Sequence, residues 1–497
     1  MFIMGADFLS DPLFPLRGGK KRYIIRSLAN YYSIESWEMQ QKKAVSGMRA
    51  IPEGVRALLE TLEAAGHEAW CVGGCVRDML LTDLRMLNGA RPPVRGPEDW
   101  DVTTSALPEE TLAVFQERAV PTGLKHGTVT VKTADGPVEV TTYRLDGAYR
   151  DHRRPESVTF TRSLEEDLAR RDFTVNAMAL NLRRELRDPF GGRRDLENGA
   201  LRCVGDPDRR FQEDALRILR GMRFAAVLGL DGAKETDAAM DRNRELLREI
   251  APERIQAELT KLLCGRCAKE VLDNHPRVVG VFWPEVLPMV GFDQRNIHHC
   301  YTVWDHSTTA LANTPPIPEL RCAALLHDIG KPPTFTLDGN GVGHFHGHAA
   351  TSVELADGML RRLKFPNDFR ERVVRLVAWH DRDIPRTDRA VGRALRRLGE
   401  EELRLLLDLK RADNLAQASA YHGRQAEIAL AEEILDRLLA EDACFSLKQL
   451  AVNGNDLTAL GLRGPAVGRA LETLLSKVVD GELPNQRAAL LEFVINS

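Results

Sequence analysis

The sequence predicts a multidomain α+β protein: an N-terminal α/β domain with a small mixed sheet, followed by an all-α remainder. Three observations carry this. The chain has 497 residues, more than one hydrophobic core ordinarily serves, so it divides into several domains. Strand-like alternation is concentrated in residues 68–143. Beyond about Gly205, apolar residues recur every three or four positions, which is the helical period.

Residues 1–47 carry scattered aromatics and a basic run from Lys20 to Arg22, but neither the apolar core nor the cleavage site of a signal peptide. They read as an N-terminal extension, either a poorly ordered arm or the product of an upstream start site. Met48 opens a helical pattern with Val55, Leu58, Leu59 and Leu62. Strands are expected at 69–72, 100–103 and 129–133, the last turning at Asp135-Gly136 into 138–143.

Composition narrows the function classes. With 43% hydrophobic and 28% charged residues and no apolar run of membrane-spanning length, the chain reads as a soluble, cytoplasmic protein with no membrane partner. Eight irregularly spaced cysteines fit reduced thiols. Cys264 and Cys267 have no second pair at zinc-finger spacing and read as packed thiols. A net charge of −4 does not advertise nucleic-acid binding. Such binding would draw on local patches: Arg150, Arg153 and Arg154, the run from Arg209 to Arg223, or Arg386 to Arg397, the last reading as a solvated helix face.

Gly73-Gly74-Cys75-Val76-Arg77-Asp78 follows a strand and opens a helix. Glycines there let backbone N–H groups approach phosphate oxygens at a helix N-terminus, and Arg77 is placed to clamp them. Residues i and i+2 of a strand share a face, so Asp99 and Asp101 are expected to converge on divalent cations, with Glu139 a third carboxylate. Two ions about 3.5–4 Å apart serve an in-line displacement at phosphorus. Asp214, Arg217, Arg220 and Arg223 recur every third residue and are expected along one helix stripe, where they present acceptors and donors to a base edge. Each feature alone has an ordinary counterpart: a turn, a solvated acidic pair, a salt-bridged helix surface.

In combination they resemble a known family. Gly73 to Asp78 followed by Asp99-Trp100-Asp101-Val102-Thr103-Thr104 is similar to the head domain of class II tRNA CCA-adding enzymes and bacterial poly(A) polymerases. Arg170-Arg171-Asp172-Phe173-Thr174-Val175-Asn176-Ala177 resembles the family's sugar-recognition motif. Asp188-Pro189-Phe190-Gly191-Gly192 resembles the link to the neck, and Glu213-Asp214-Ala215-Leu216-Arg217 the base-selecting motif. The connection between Asp78 and Asp99 is longer than in the compact form of the family.

The resemblance implies template-independent addition of CCA to tRNA from CTP and ATP. Asp99 and Asp101 would be catalytic and hold Mg2+, and Gly74, Arg77 and Arg171 would hold the incoming nucleotide. Asp214 and Arg217 would read its Watson–Crick edge, with Arg220 and Arg223 supporting the pocket. Residues 146–155 are similar to the flexible element that switches such enzymes from CTP to ATP. Poly(A) polymerase and an enzyme adding only the terminal A remain alternatives.

In the helical half, His306, His327-Asp328 and Asp413 resemble the metal core of HD-superfamily phosphohydrolases, and His346, His348 and His380 extend the series. Such ligands bind Mg2+, Mn2+ or Ni2+. That likeness implies a 2′,3′-cyclic phosphodiesterase and phosphatase activity, and leaves a further alternative, an HD phosphohydrolase whose head only binds RNA. The organisation expected is a nucleotidyltransferase head at 48–200, a helical neck at 201–275, an HD-type body at 276–420 and a helical tail at 421–497. The tail would bind tRNA or a second subunit, in a monomer or homodimer.

Overall fold

The computed structural model describes residues 51–87, 97, 99–147, 157–183, 185–297, 300–441 and 443–497. The extension at 1–47, the patch at Arg150, Arg153 and Arg154, and most of the 146–155 element lie outside the described residues.

The first described helix, Glu53–Ala64, buries Val55, Leu58, Leu59 and Leu62, an i, i+3, i+4, i+7 stripe that lies on the sheet. Strands β1 (Ala69–Val72), β2 (Asp101–Thr104), β3 (Ala119–Gly123), β4 (Thr128–Thr133) and β5 (Gly136–Thr142) form most of a seven-stranded sheet, with β8 (Ala179–Leu180) and β9 (Leu186–Arg187) at one edge. The order is β3-β4-β5-β2-β1-β8-β9. Only β2 and β5 run parallel, so the sheet is mixed. Strands β6 (Arg144–Asp146) and β7 (Val158–Phe160) pair separately. β3 is mostly solvent-facing and carries Pro121, while β8 and β9 have two residues each. Elements so short or exposed leave no readable alternation.

The strand carrying the acidic pair begins at Asp101, where the ladder with β1 ends at the Val72–Asp101 pair. Asp99 precedes the strand in a bend, so the two carboxylates do not share a strand face. The parallel register instead sets Asp101 beside Glu139 on β5.

From Pro207 onward the described chain is almost wholly helical. One apolar core runs from Ile51 through the helices to Leu435. A second, smaller core gathers Leu450, Leu457, Leu474 and Leu490. The arginines of helix Asp388–Leu398 are spent on holding the two together: Arg393 donates to Asp480 at 2.6 Å, Arg389 to Glu482 at 3.1 Å, and Arg396 to Glu472. Among the described residues no helix is long and apolar enough to cross a membrane.

Candidate active site

The strand–turn–helix at Gly73-Gly74 is shaped by its backbone. Gly73 has φ +76°, and a Cβ there would stand 3.1 Å from an Arg171 guanidinium nitrogen. A side chain would be both strained and crowded. Helix Gly74–Leu87 begins at once, so its first unpaired N–H groups open onto a cavity of about 780 Å³. Gly74, Arg77, Asp99, Asp101, Arg171, Asp214, Arg217, Arg220 and Arg223 all line this cavity. The structure thus brings the sequence-singled residues of the head and neck to one place.

Acids gather at one part of the wall. Asp101's pKa is raised by withdrawal from bulk water, against which the Arg171 charge acts, and by the neighbouring Glu139 and Asp99 carboxylates. Clustered carboxylates that repel one another at a cavity wall form a hard-oxygen donor set suited to Mg2+. Close by, Cys71 and Cys75 are buried beneath the turn and are free thiols.

Cations line the same cavity. Arg77 donates to Asn176 Oδ1 at 2.6 Å and to Asp78 at 2.8 Å. Arg223 lies over the Phe224 ring at 4.0 Å and donates to Glu258 at 2.6 Å. Arg220 grips Asp172 through two bonds of 2.6 and 2.9 Å, and Asp172 also accepts from Asn176 and the Phe173 N–H.

The residues expected to select the base, Asp214, Arg217, Arg220 and Arg223, do not form the single stripe expected. Helix Pro207–Glu213 stops, and helix Leu216–Leu228 starts after a break at Asp214 and Ala215. Asp214 has extended backbone there. Its carboxylate accepts from the Leu216 N–H at 3.1 Å, occupying the new helix start, and from Arg254 at 3.1 Å. Arg217, only 9% exposed, donates to Glu213 at 2.8 Å and to the Arg170 carbonyl at 3.1 Å. The pair therefore faces the cavity from two separately held positions.

Of the residues that do the holding, Asp172 and Glu213 stand inside the motifs singled out from the sequence, without a role of their own, whereas Arg254 and Glu258 were missed. Arg254 and Glu258 are one helical turn apart on Pro252–Leu263. The available signal was Glu258, a charge beside Ile255, Leu259 and Leu262 on the buried face, where Glu is rare unless paired.

Burial alone would raise the Asp172 pKa, but the Arg220 charge and hydrogen bonds hold it well below the ordinary carboxylate range. A depressed folded-state pKa contributes stability that is fully present above the unfolded value of ~3.9 and is lost as pH falls toward the folded value. Asp172→Asn should therefore lower stability at pH 7 by about 1.5–3 kcal/mol, the worth of a charged hydrogen bond. The gap to wild type should narrow at pH 3. Urea melts at the two pH values check both statements; an equal gap at each would contradict the assignment.

A second cluster lies in the helical half, at the ends of helices. His306 sits in Val303–Ala312, His327 and Asp328 follow Pro318–Leu326, and Asp413 is in the last turns of Glu400–Leu415. His306 Nε2 lies 3.3 Å from Asp328 and 3.0 Å from Asp413, and His327 Nε2 lies 3.2 Å from Asp328. Burial acts against charge on His327, but Asp328 and Asp413 outweigh it and raise its pKa to about 10. His348 and His380 also join Asp328, whereas His346 stacks on His344 and is in neither ligand group. Cys264 and Cys267 are half-buried free thiols whose pKa values burial raises.

Comparison with known proteins covers nearly the whole described chain. Residues 69–202 match the Poly A polymerase head domain, residues 229–274 a family described as "Probable RNA and SrmB- binding site of polymerase A", and residues 348–494 tRNA nucleotidyltransferase domain 2. The CCA-adding enzyme of Levilactobacillus brevis is 34% identical over 445 residues, spanning 89% of this chain and 97% of that protein. That of Geobacillus stearothermophilus is 33% identical over 88% of this chain and 95% of its own length. The crystal structure of Bacillus stearothermophilus CCA-adding enzyme in complex with CTP superposes with a TM-score of 0.64 at 28% identity, covering 89% of this chain and 96% of that one.

Proposed function

The chain belongs to the CCA-adding enzyme family, and from that premise we propose that it builds the CCA end of tRNA from CTP and ATP in the large cavity between head and neck. The supporting observation is that one cavity is lined by Asp99 and Asp101, a glycine-opened helix N-terminus and the Asp214–Arg217 pair. In this reading the tRNA 3′-hydroxyl attacks the α-phosphorus of the bound nucleotide and pyrophosphate leaves.

Each role follows from chemistry already described. Asp99 and Asp101 hold divalent ions, with Glu139 beside Asp101. Such ions polarise phosphoryl oxygens and favour the attacking hydroxyl and leaving pyrophosphate. The N–H groups at Gly74 and the guanidinium of Arg77 receive the triphosphate, and Arg171 holds the nucleotide next to Asp101. Asp214 accepts from, and Arg217 donates to, the base edge, so fixed side chains replace a template. Arg220 and Arg223, locked by Asp172 and Glu258, keep that wall rigid.

The test supplies purified protein with tRNA ending before CCA, after CC, or complete, and labelled CTP or ATP alone. The reading expects CTP to label only the shortest tRNA and ATP to label the CC-ended one. Use of ATP alone, on every acceptor, would favour an A-adding or poly(A)-forming enzyme and sink it.

The His306–His327–Asp328–Asp413 cluster supports a second activity alongside the first, not instead of it. Imidazole and carboxylate ligands hold a divalent metal that lowers the pKa of water for attack on phosphorus. We therefore read the helical half as an HD-type phosphohydrolase acting on 2′,3′-cyclic phosphates and phosphomonoesters. Hydrolysis of a 2′,3′-cyclic nucleotide with Mg2+, Mn2+ or Ni2+ is expected, and His327→Ala should remove it while leaving CMP transfer in place. No turnover above that variant would withdraw the activity.

A further inference from the structure

Three guanidiniums from head and neck meet around one aromatic ring. Phe224, on the neck helix Leu216–Leu228, is buried and lines the large cavity. The Arg223 Cζ lies 4.0 Å from its ring centroid, that of Arg77 5.1 Å and that of Arg220 5.4 Å. Arg77 belongs to the head helix Gly74–Leu87 and the other two to the neck helix, so the ring stands where head and neck bring their cations together.

The ring is itself held in place. Phe173 of the head, fully buried, meets it in a T-shaped arrangement, with centroids 5.9 Å apart and planes at 78°, a favoured aromatic geometry. Gly221 leaves the room for this, since a Cβ there would stand 2.9 Å from the Phe173 Cζ. Phe173 directly follows Asp172, the acceptor of Arg220, so adjacent residues of the head fix both the ring and one of its cations.

Three like charges gathered so closely repel. Burial lowers the Arg223 pKa, and the Arg220 charge adds to this against the attraction of Glu258. Asp78, Asp172 and Glu258 offset the repulsion, but each takes up N–H groups in doing so. A ring face attracts a cation through its quadrupole and has no lone pair to occupy an N–H. Among the described residues Arg223 donates to Glu258 through Nε alone, which keeps its terminal amino groups for a ligand. An aromatic side chain thus holds guanidiniums together without spending the donors that phosphate needs.

We propose that Phe224 is a positioning residue for nucleotidyl transfer: its ring seats Arg77, Arg220 and Arg223 so that head and neck present their guanidiniums together to the triphosphate of the incoming nucleotide. This rests on the transfer reading and adds to it the element that joins head and neck at the phosphates. Asp214 and Arg217 have partners of their own in Arg254 and Glu213, so the ring acts on triphosphate affinity and not on base choice.

The test replaces Phe224, in the full-length chain, by phenylalanines carrying one, two and three ring fluorines, which draw electrons from the ring face with little change of shape. Equilibrium binding of CTP, ATP, UTP and inorganic triphosphate is measured with Mg2+, alongside CMP transfer by wild type to tRNA ending before CCA. Affinity should fall stepwise with each fluorine, by about tenfold at three and by the same factor for all four ligands. The CTP-to-UTP affinity ratio should stay as in wild type. Affinity indifferent to fluorination would overturn the proposal, because a ring that only packs keeps its shape. A changed CTP-to-UTP ratio would overturn it too, by placing the ring's effect at the base. Nucleotide binding by wild type without transfer to tRNA would remove the transfer reading, while the fluorine series still decides whether the ring seats the cations for a triphosphate. Binding of none of the four by wild type overturns both.

Discussion

Asp101→Asn should reduce CMP and AMP transfer by on the order of 10³-fold, at ~1.4 kcal/mol per decade for the several kcal/mol that a metal's charge stabilisation supplies. Asparagine keeps the size and position of the side chain at the start of β2 and its backbone pairing with Val72. It removes only the charge that Glu139 and Asp99 crowd. The repulsion raising the Asp101 pKa would be relieved, so the variant should melt no lower than wild type. Hydrolysis at the histidine cluster should be unaffected, since neither of its ligand groups includes a residue of the head. Loss of both activities together would mean a general failure to fold and not the loss of a metal ligand.

Arg217→Ala is expected to be the most damaging change on the neck. Its guanidinium is buried and joins Glu213, the Arg170 carbonyl and the Arg210 carbonyl. Removing one partner of a buried charge pair costs about 3–5 kcal/mol. Arg210 also contacts Glu213, so the lower end applies. The functional readout is base choice: a lost base contact is worth about 1–3 kcal/mol of discrimination, so incorporation of UTP relative to CTP should rise by on the order of tenfold. Arg217→Lys separates this from mere destabilisation. Lysine keeps the charge but not the planar fork, so the melting temperature should recover more than base choice does. Recovery of both to the same degree would point to a structural role alone.

The legible parts of the chain were those with a local cause. The 69–72 strand and the Glu53–Ala64 helix follow from burial patterns a few residues long. The glycine turn at Gly73 is likewise local, because its positive φ excludes other residues. What escaped was set by distant parts of the chain. Asp99 falls outside β2 because the β1 ladder ends at Asp101, two positions short of it, and three-residue spacing gave no hint that the helix breaks at Asp214. The partners Glu258 and Arg254 reach Arg223 and Asp214 from a helix 35 and 40 residues further along the chain. At the histidine cluster, His348 and His380 were visible as candidates. Their place opposite His306 and His327, across one carboxylate, needed five helices to converge.

The reading of the chain as a CCA-adding enzyme turns on one pocket that takes CTP twice, then ATP once, and then stops. The direct measurement is sequencing of tRNA 3′ ends after exhaustive reaction of tRNA lacking CCA with all four nucleoside triphosphates. A single product ending in CCA with nothing beyond it is expected; long adenosine tails, or ends carrying uridine as often as cytidine, would contradict that reading.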